Sequence, residues 1–563
     1  MITPEVAQYL YEQHNEYWGG LRLEMRRLRN AYMMRYWARK DDYDGAILIE
    51  TSRAYELIES YVASLFVRDP AVVVKPDIRG KGDPSLTQEV ANSWLLETRR
   101  QIEDALRLSL IYPCAFMKLT PTKSRDVLGR VDISSVGPWE IIVDETASSW
   151  ETQQFVGHIY YLPLSKAKAK YGAKKYQTRS FSRYIDNIGK QEDSPPKSGD
   201  KAPEQVGDFI VVVEFYDLEA EKMFVWSPDY ANGEKFLYDG VALNVGTEDD
   251  PKEEKYNEIP FRTASEKPVI PIVPIYMSRE PDNPMRGYSA LRRVYDQVVE
   301  VNTVRTFQAN GVRKAARQWM TRKGTFDAEA MAKIAQGVDG EFVEVELSEG
   351  QDLEKAIRPI PHSPVPPELE NYIGQVEQDF SRGSVMAPFT RGQATKATAT
   401  EVTALAAYTA SEIGRQARER DAAISKLAQT YVVMVATLMG DDDTVIRIRG
   451  SAHALRAEDL IGNFAYFAQD SGSTPMSDSV RKQEFQLLVP LLRDLGVDPS
   501  TILKSLVRSF DLPEDFLPKD DAQPQVAPMA PPAAIPPNEA AAGIIASPSP
   551  QNVATVLPAG GVV

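Results

Sequence analysis

Apolar residues recur at helical spacing from Tyr288 to about Ala316, and again after Pro366-Pro367 until the pattern fades at Gly383. A third and longer run carries Val402, Leu405, Thr409, Ile413, Ala417, Ile424, Leu427, Tyr431, Val435 and Leu438 on one period. Thr398-Ala-Thr-Glu401 opens that run with capping-box spacing. About 40 residues at ~1.5 Å each predict a helix of roughly 60 Å, against a usual length of ~11–12 residues. Gly414 inside it is a position for a kink. Between the two shorter helices lies an insert, residues 317–365. Its strand-like stretches Gln318–Arg322 and Glu341–Leu347 flank a short helix, Ala328–Gln336.

The N-terminal half reads as helices alternating with strands. Residues 3–40 read as helix, started by Thr3 with Pro4 at the first helical position and interrupted at Gly19-Gly20. Glu50–Phe66 and Thr87–Leu110 read as further helices and Ala71–Lys75 as a strand. Cys114–Tyr161 turns to strands, and Phe209–Tyr216 is another. Met223–Trp226 and Lys235–Tyr238 suggest a hairpin about Asn232-Gly233. Pro268–Pro274 alternates Pro with Val and Ile, as an edge strand does. Residues 186–207 read as an exposed loop. Together, residues 1 to about 280 form an α+β domain. Val445–Arg449 and Ala465–Gln469 are predicted strands, and Met476–Leu495 and Pro499–Phe510 predicted helices. Residues 522–563 hold nine Pro, eleven Ala and one charge, Glu539; a disordered tail is expected.

Charge changes this picture in three places. The chain has 563 residues, with Lys+Arg 64 against Asp+Glu 80 and a net charge of −16. Tight static binding of nucleic acid is therefore not expected of the whole surface, because phosphate neutralisation supplies most of that affinity; DNA that slides past is compatible with acidity. Residues 21–40 carry seven bases (Arg22, Arg26, Arg27, Arg29, Arg35, Arg39 and Lys40) against Glu24, which reads either as a basic face or as a solvated helix. Within the insert, residues 313–323 hold five bases and no acid, and residues 339–354 hold seven acids and no base. Blocks so opposed suit pairing between neighbouring copies, or a bipolar solvated surface. One cysteine, Cys114, leaves no internal disulfide framework. The start carries no signal pattern, and the longest unbroken apolar stretch, Tyr431–Met439, is far below the ~20 residues of a bilayer span. A soluble cytoplasmic product is expected.

Chemistry-bearing motifs are sparse. Gly392-Gln-Ala-Thr-Lys396 lacks the Gly that precedes the Lys of a phosphate-binding loop. His14, His158, His362 and His453 are scattered and read as ordinary surface or interface residues. Asp441-Asp442-Asp443 follows Gly440 at a helix end and reads as a solvated turn. No nucleophile elbow or Cys/His pair occurs. No enzyme, metal or cofactor is expected.

Four stretches carry a family resemblance by their order and spacing: Val131–Asp144, Arg286-Gly-Tyr-Ser-Ala-Leu with Val301-Asn302 downstream, Ala397-Thr-Ala-Thr-Glu-Val402, and Phe464–Met476 with the helix Arg481–Leu495. Over residues 1 to about 515 the chain resembles tailed-bacteriophage portal proteins, the head-to-tail connectors, most closely those of short-tailed phages. The resemblance implies an α+β, mostly helical portal fold, assembled as a dodecameric ring around a central channel at one capsid vertex of the virion. Residues 1–285 would be the wing, 286–316 and 366–384 the stem helices, 317–365 the clip and 385–400 the tunnel loop. Residues 398–476 would be the long wing helix with its returning strands, 477–517 the crown, and 518–563 a tail with no transferable role. The implied partners are other copies, the terminase large subunit, scaffolding protein, major capsid protein, tail adaptor or nozzle proteins, and double-stranded DNA held non-specifically, with no membrane. Genome packaging, ejection and capsid assembly follow from that family role. Arg382, Arg391 and Lys396, with Thr395, would be the tunnel-loop contacts; Arg322, Lys323, Phe326, Glu344 and Glu346 would be the clip's docking residues. Another virion ring component, an adaptor or minor capsid protein, is the alternative.

Overall fold

Thr3 starts the first helix, α1 (Pro4–Tyr32), its side chain accepting from the Val6 amide at 3.4 Å. The helix runs through Gly19-Gly20 without interruption, contrary to expectation. Nothing lies within 4 Å of the Cβ either glycine lacks, so their intrinsic cost of ~1 kcal/mol each is offset by burial of Trp18, Met25 and Leu28 on the same helix. It also ends earlier than expected, at Tyr32. Met34 takes a left-handed φ of 52°; Arg35 N donates to Asn30 O at 2.7 Å and Met34 N to Ala31 O at 3.3 Å. This is the double bond of a Schellman stop with methionine in the usual glycine position.

The computed structural model describes residues 2–37, 47–66, 69–76, 82–122, 131–179, 208–245, 252–281, 283, 285–315, 319–321, 357–359, 368–384, 399–440, 444–448 and 451–469, all in one unit, Met1–Ser479. The loop 186–207, the strand 341–347, the helices expected at 328–336 and beyond 476, the triplet 441–443 and the tail lie outside them. α2 spans Arg53–Leu65 and β1 spans Val72–Pro76. The single helix expected over 87–110 is two, α3 (Pro84–Glu97) and α4 (Arg99–Ile111). Asp83 caps α3, its carboxylate accepting from Ser85 N at 2.8 Å. At the break, Thr98 turns its hydroxyl back to Trp94 O at 2.8 Å. The apolar period continues across Thr98, so the pattern gave no sign of the break.

Two antiparallel sheets follow. One has the order β11-β2-β3, from β2 (Ala115–Pro121), β3 (Val131–Val136) and β11 (Ile272–Ile275); β11 is its edge, as the alternating prolines predict. The other, β4 to β8 in order, joins Ile141–Val143, Phe155–Pro163, Phe209–Asp217, Lys222–Trp226 and Phe236–Asp239. The connection between its last two strands has Asn232 and Gly233 at φ 54° and 81°. An unpredicted helix, α5 (Leu164–Tyr171), and an unpredicted hairpin, β9 (Val241–Val245) with β10 (Lys252–Tyr256), complete the N-terminal half.

A buried ion pair joins the sheets. Lys118 of β2 donates to Glu214 of β6 at 3.1 Å and to Tyr216 Oη at 2.6 Å; the two charged side chains are 6% and 13% exposed. Tyr160 donates to the other Glu214 oxygen at 3.0 Å. Burial alone would raise the Glu214 carboxyl, but Lys118 and then Lys170 outweigh it and bring it to about 2. Two histidines expected at the surface are instead enclosed. Burial, aided by Lys118, lowers His158 to about 3, and burial lowers His14 to about 4 although its ring nitrogen bonds Trp139 O at 2.8 Å.

The C-terminal elements are α6 (Tyr295–Ala315), β12 (Trp319–Thr321) antiparallel to β13 (Ile357–Pro359), α7 (Glu368–Gly383) and α8 (Ala399–Met439). β14 (Thr444–Ile448) and β15 (Ser451–Leu455) form a hairpin, and β16 (Phe464–Ala468) returns to pair with β1, Val72 opposite Ala468. α8 passes through Gly414 as one helix. An 18-residue stretch within Ile413–Met439 is long and apolar enough to cross a membrane, with mean hydropathy 1.4. Inside the protein, however, 72% of that window is buried. Tyr431 stacks on Trp94 with ring centroids 4.0 Å apart, and Trp94 Nε1 donates to Val131 O at 3.0 Å. Arg420, 2% exposed, reaches from α8 to the Leu65 carbonyl and closes the end of α2.

Glu214→Leu leaves the Lys118 ammonium buried without its counter-charge and should lower the unfolding free energy by about 3–5 kcal/mol; adding Lys118→Met should recover most of it. Urea unfolding of the two variants measures both steps, and a loss below ~1 kcal/mol in the single variant would show the pair to be solvated. The histidines set an acid limit. Their folded values lie below the unfolded ~6.5, so the stability of their neutral forms is complete above that pH and drains as pH falls toward 4 and 3. His14→Gln with His158→Gln should flatten the stability profile between pH 6.5 and 4 relative to wild type.

Candidate functional site

The hairpin of α6 and α7 is the part of the structure that the resemblance singles out, and its root is built residue by residue. Arg286, 6% exposed, pairs with Glu145 and lies over the rings of Tyr17 and Trp18. Gly287 follows because a Cβ there would stand 1.6 Å from Pro113 O. Ser289 then does two jobs. Its hydroxyl donates to Ile111 O at 2.7 Å, closing the end of α4, and accepts from Leu291 N and Arg292 N at 3.1 and 3.2 Å. A 3-10 turn, Arg292–Val294, leads into α6. The helix therefore starts at Tyr295, not Tyr288; the residues between are spent on this anchor.

Along α6, Asn302, Thr306 and Asn310 line one face at i, i+4 and i+8. They bond a passing segment at every second residue. Thr51 N donates to Asn302 Oδ1 at 2.9 Å, Ile49 N to Thr306 Oγ1 at 2.9 Å, and Ile47 N to Asn310 Oδ1 at 2.8 Å. Asn310 Nδ2 returns a bond to Ile47 O at 2.7 Å. The two periods match: four helical residues rise about 6 Å, and two extended residues about 6.6 Å. Residues 47–51 are thus a strap laid along the helix.

α7 is fixed at its other end. Val376 and Phe380 are buried, Arg53 pairs with Glu377 and lies 5.7 Å from the Phe380 ring centroid, and Tyr61 Oη donates to Ser384 O at 2.6 Å. Gly383 sits against Val294, and Tyr372 bonds Glu300, so the two helices run antiparallel. Toward the tip the cover thins: Phe307 is 65% exposed and Tyr372 42%.

Arg382, expected at the channel, is exposed at the end of α7 with Asp379 one turn back at 3.7 Å. Arg391, Thr395 and Lys396 of the tunnel loop lie outside the described residues. So do Arg322, Lys323, Phe326, Glu344 and Glu346 of the clip, and the cap at Thr398. Asn302 was singled out only by resemblance; Thr306 and Asn310 were missed, though their four-residue spacing was a readable signal.

A cavity of about 470 Å³ lies between α1 and β4, lined among others by His14, Trp18, Cys114, Asp144 and Arg286. Burial pushes the Cys114 thiol to about 12 and His14 down to about 4, so near neutral pH neither a thiolate nor an imidazolium stands there. Among the described residues no group of three or more His, Cys, Asp or Glu is placed to hold a metal.

No family model matches the chain, and no curated protein does. Among solved structures, a chain from the virion of a native gene transfer agent particle aligns over 82% of this chain and 90% of its own length, at 9% identity and a TM-score of 0.36. A likeness that low carries no argument about function.

Asn302→Ala removes the acceptor of both Thr51 donors, the amide and the hydroxyl, the latter at 2.8 Å. The loss should be about 1–3 kcal/mol, and amide exchange at Thr51 should accelerate. Exchange at Ile47 tells whether the strap lifts as a unit or bond by bond.

Proposed function

We propose that this chain is a structural protein of a tailed-phage-type virion and, within that class, a portal-type ring subunit. The carrying observation is the α6–α7 hairpin. It is anchored by polar contacts to the body, it leaves Phe307 and Tyr372 exposed among the described residues, and it is followed by a helix of 41 residues. An isolated pair of helices with exposed aromatic residues is completed by neighbours, and a closed ring supplies the same neighbour to every copy. The order of hairpin, small-residue loop and long helix agrees with the resemblance drawn from the sequence. On this reading the tip docks a motor and adaptors, and residues 385–398 face a channel for double-stranded DNA. Arg391 and Lys396 then touch phosphates without reading bases.

Native mass spectrometry and negative-stain images should show closed rings, a dodecamer by the resemblance; monomers or dimers at every concentration would overturn the assignment. Phe307→Asp should weaken assembly while leaving the subunit folded, since exposed substitutions cost within about 0.5 kcal/mol. Arg391→Ala with Lys396→Ala should preserve rings and impair DNA retention; full retention would leave those charges an intersubunit role.

A further inference from the structure

α5 was not anticipated, and its surface differs from the rest of the chain. From Thr152 to Thr178 there is no acidic residue and there are five lysines, Lys166, Lys168, Lys170, Lys174 and Lys175, in a chain of net charge −16. The helix is seated by Ala167 and Tyr171, one turn apart and both buried against Ile210, Val212 and Leu237. That fixes which face is left. Lys166 and Lys168 are exposed, as is Lys175 beyond the turn at Gly172, where φ is 91°; the Lys170 ammonium instead lies 5.1 Å from the Tyr171 ring centroid and in the field of the buried Glu214. Lys174 is used internally, donating to Leu237 O at 2.6 Å. Among the described residues, Lys166, Lys168, Lys170 and Lys175 take part in no ion pair.

We propose that the lysine face of α5 is a contact surface for the phosphodiester backbone of nucleic acid, independent of base sequence. Lysines in the last turn of a helix also complement its dipole. That explains Lys168 and Lys170 but not Lys166 or Lys175. An acidic polypeptide is the rival occupant, and the surface around α5 disfavours it. Protein interfaces are anchored by buried aromatic or large apolar groups, and among the described residues α5 and the strands it packs on, β5 and β6, carry no exposed large apolar side chain. A phosphate polymer needs no such anchor; separated ammonium groups suffice to displace its counterions. α5 packs on β5 and β6, and its lysines are other residues than Arg391 and Lys396, so the proposal is tested separately from the ring reading.

The test is fluorescence anisotropy of the full-length protein with a short random-sequence duplex over a series of salt concentrations. Wild type should bind with a steep salt dependence. Lys166→Gln with Lys168→Gln and Lys175→Gln should weaken binding alike for unrelated sequences and lower the slope of log affinity against log salt by up to about 0.9 per lysine. The three corresponding Lys→Arg changes should restore both, which separates lost charge from misfolding. Charge-matched polyglutamate should fail to displace the duplex. A wild-type slope in the Gln variant, absence of salt-dependent binding by wild type, or displacement by polyglutamate would each overturn the proposal.

Discussion

The burial of the apolar half of α8 is the constraint on which the rest depends. Within Ile413–Met439 an 18-residue stretch of the helix is apolar enough to leave water, and the remainder of the unit is arranged to cover it. α2, α3, the β1–β16 pair, β9 and β11 all contact it. Strand β16 arrives from the far end of the described chain to pair with β1, closing one side. The stacked rings of Trp94 and Tyr431 and the buried Arg420 set the register of the helix against α3 and α2. A core drawn from segments so distant in sequence incurs a large loop-closure cost on folding. It also joins buried residues of α2, β1, α3, α8 and β16 in one core cluster.

Polar contacts make the other joints. The two sheets meet at Lys118 and Glu214, and the hairpin meets the body through Ser289, Asn302, Thr306 and Asn310. These bonds are directional, so they specify where an element lies more sharply than apolar contact does. The strap of residues 47–51 is the clearest case, because its register on α6 follows from two matching periods. One face of α6 is held this way as far as Asn310, while Phe307 on another face stays exposed.

The molecule separates its surfaces by chemistry. Phe307 and Tyr372 are exposed on α6 and α7, as Tyr9 is on α1 and Phe467 on β16, and lysines mark α5, while acid predominates over the chain as a whole. The aromatic face suits contact between proteins; the lysine face suits a polymer of phosphates.

The sequence by itself determined the elements whose signals are local. Thr3-Pro4 and the helical periods located the helices, the alternating prolines located β11, and the apolar run ending at Leu438 set the length of α8 to within a residue of Met439. It was silent wherever a tertiary contact decided. The end of α1 rests on a methionine in a left-handed turn, and the break at Thr98 on a hydroxyl bond within an unbroken apolar period. Tyr288–Val294 reads as helix but is spent on Gly287 packing against Pro113 and Ser289 bridging two helix ends. The enclosure of His14 and His158, and the pairing of Lys118 with Glu214 across 96 residues, follow from which strands become neighbours. A local pattern states which face of an element must be covered; only the assembled chain decides what covers it.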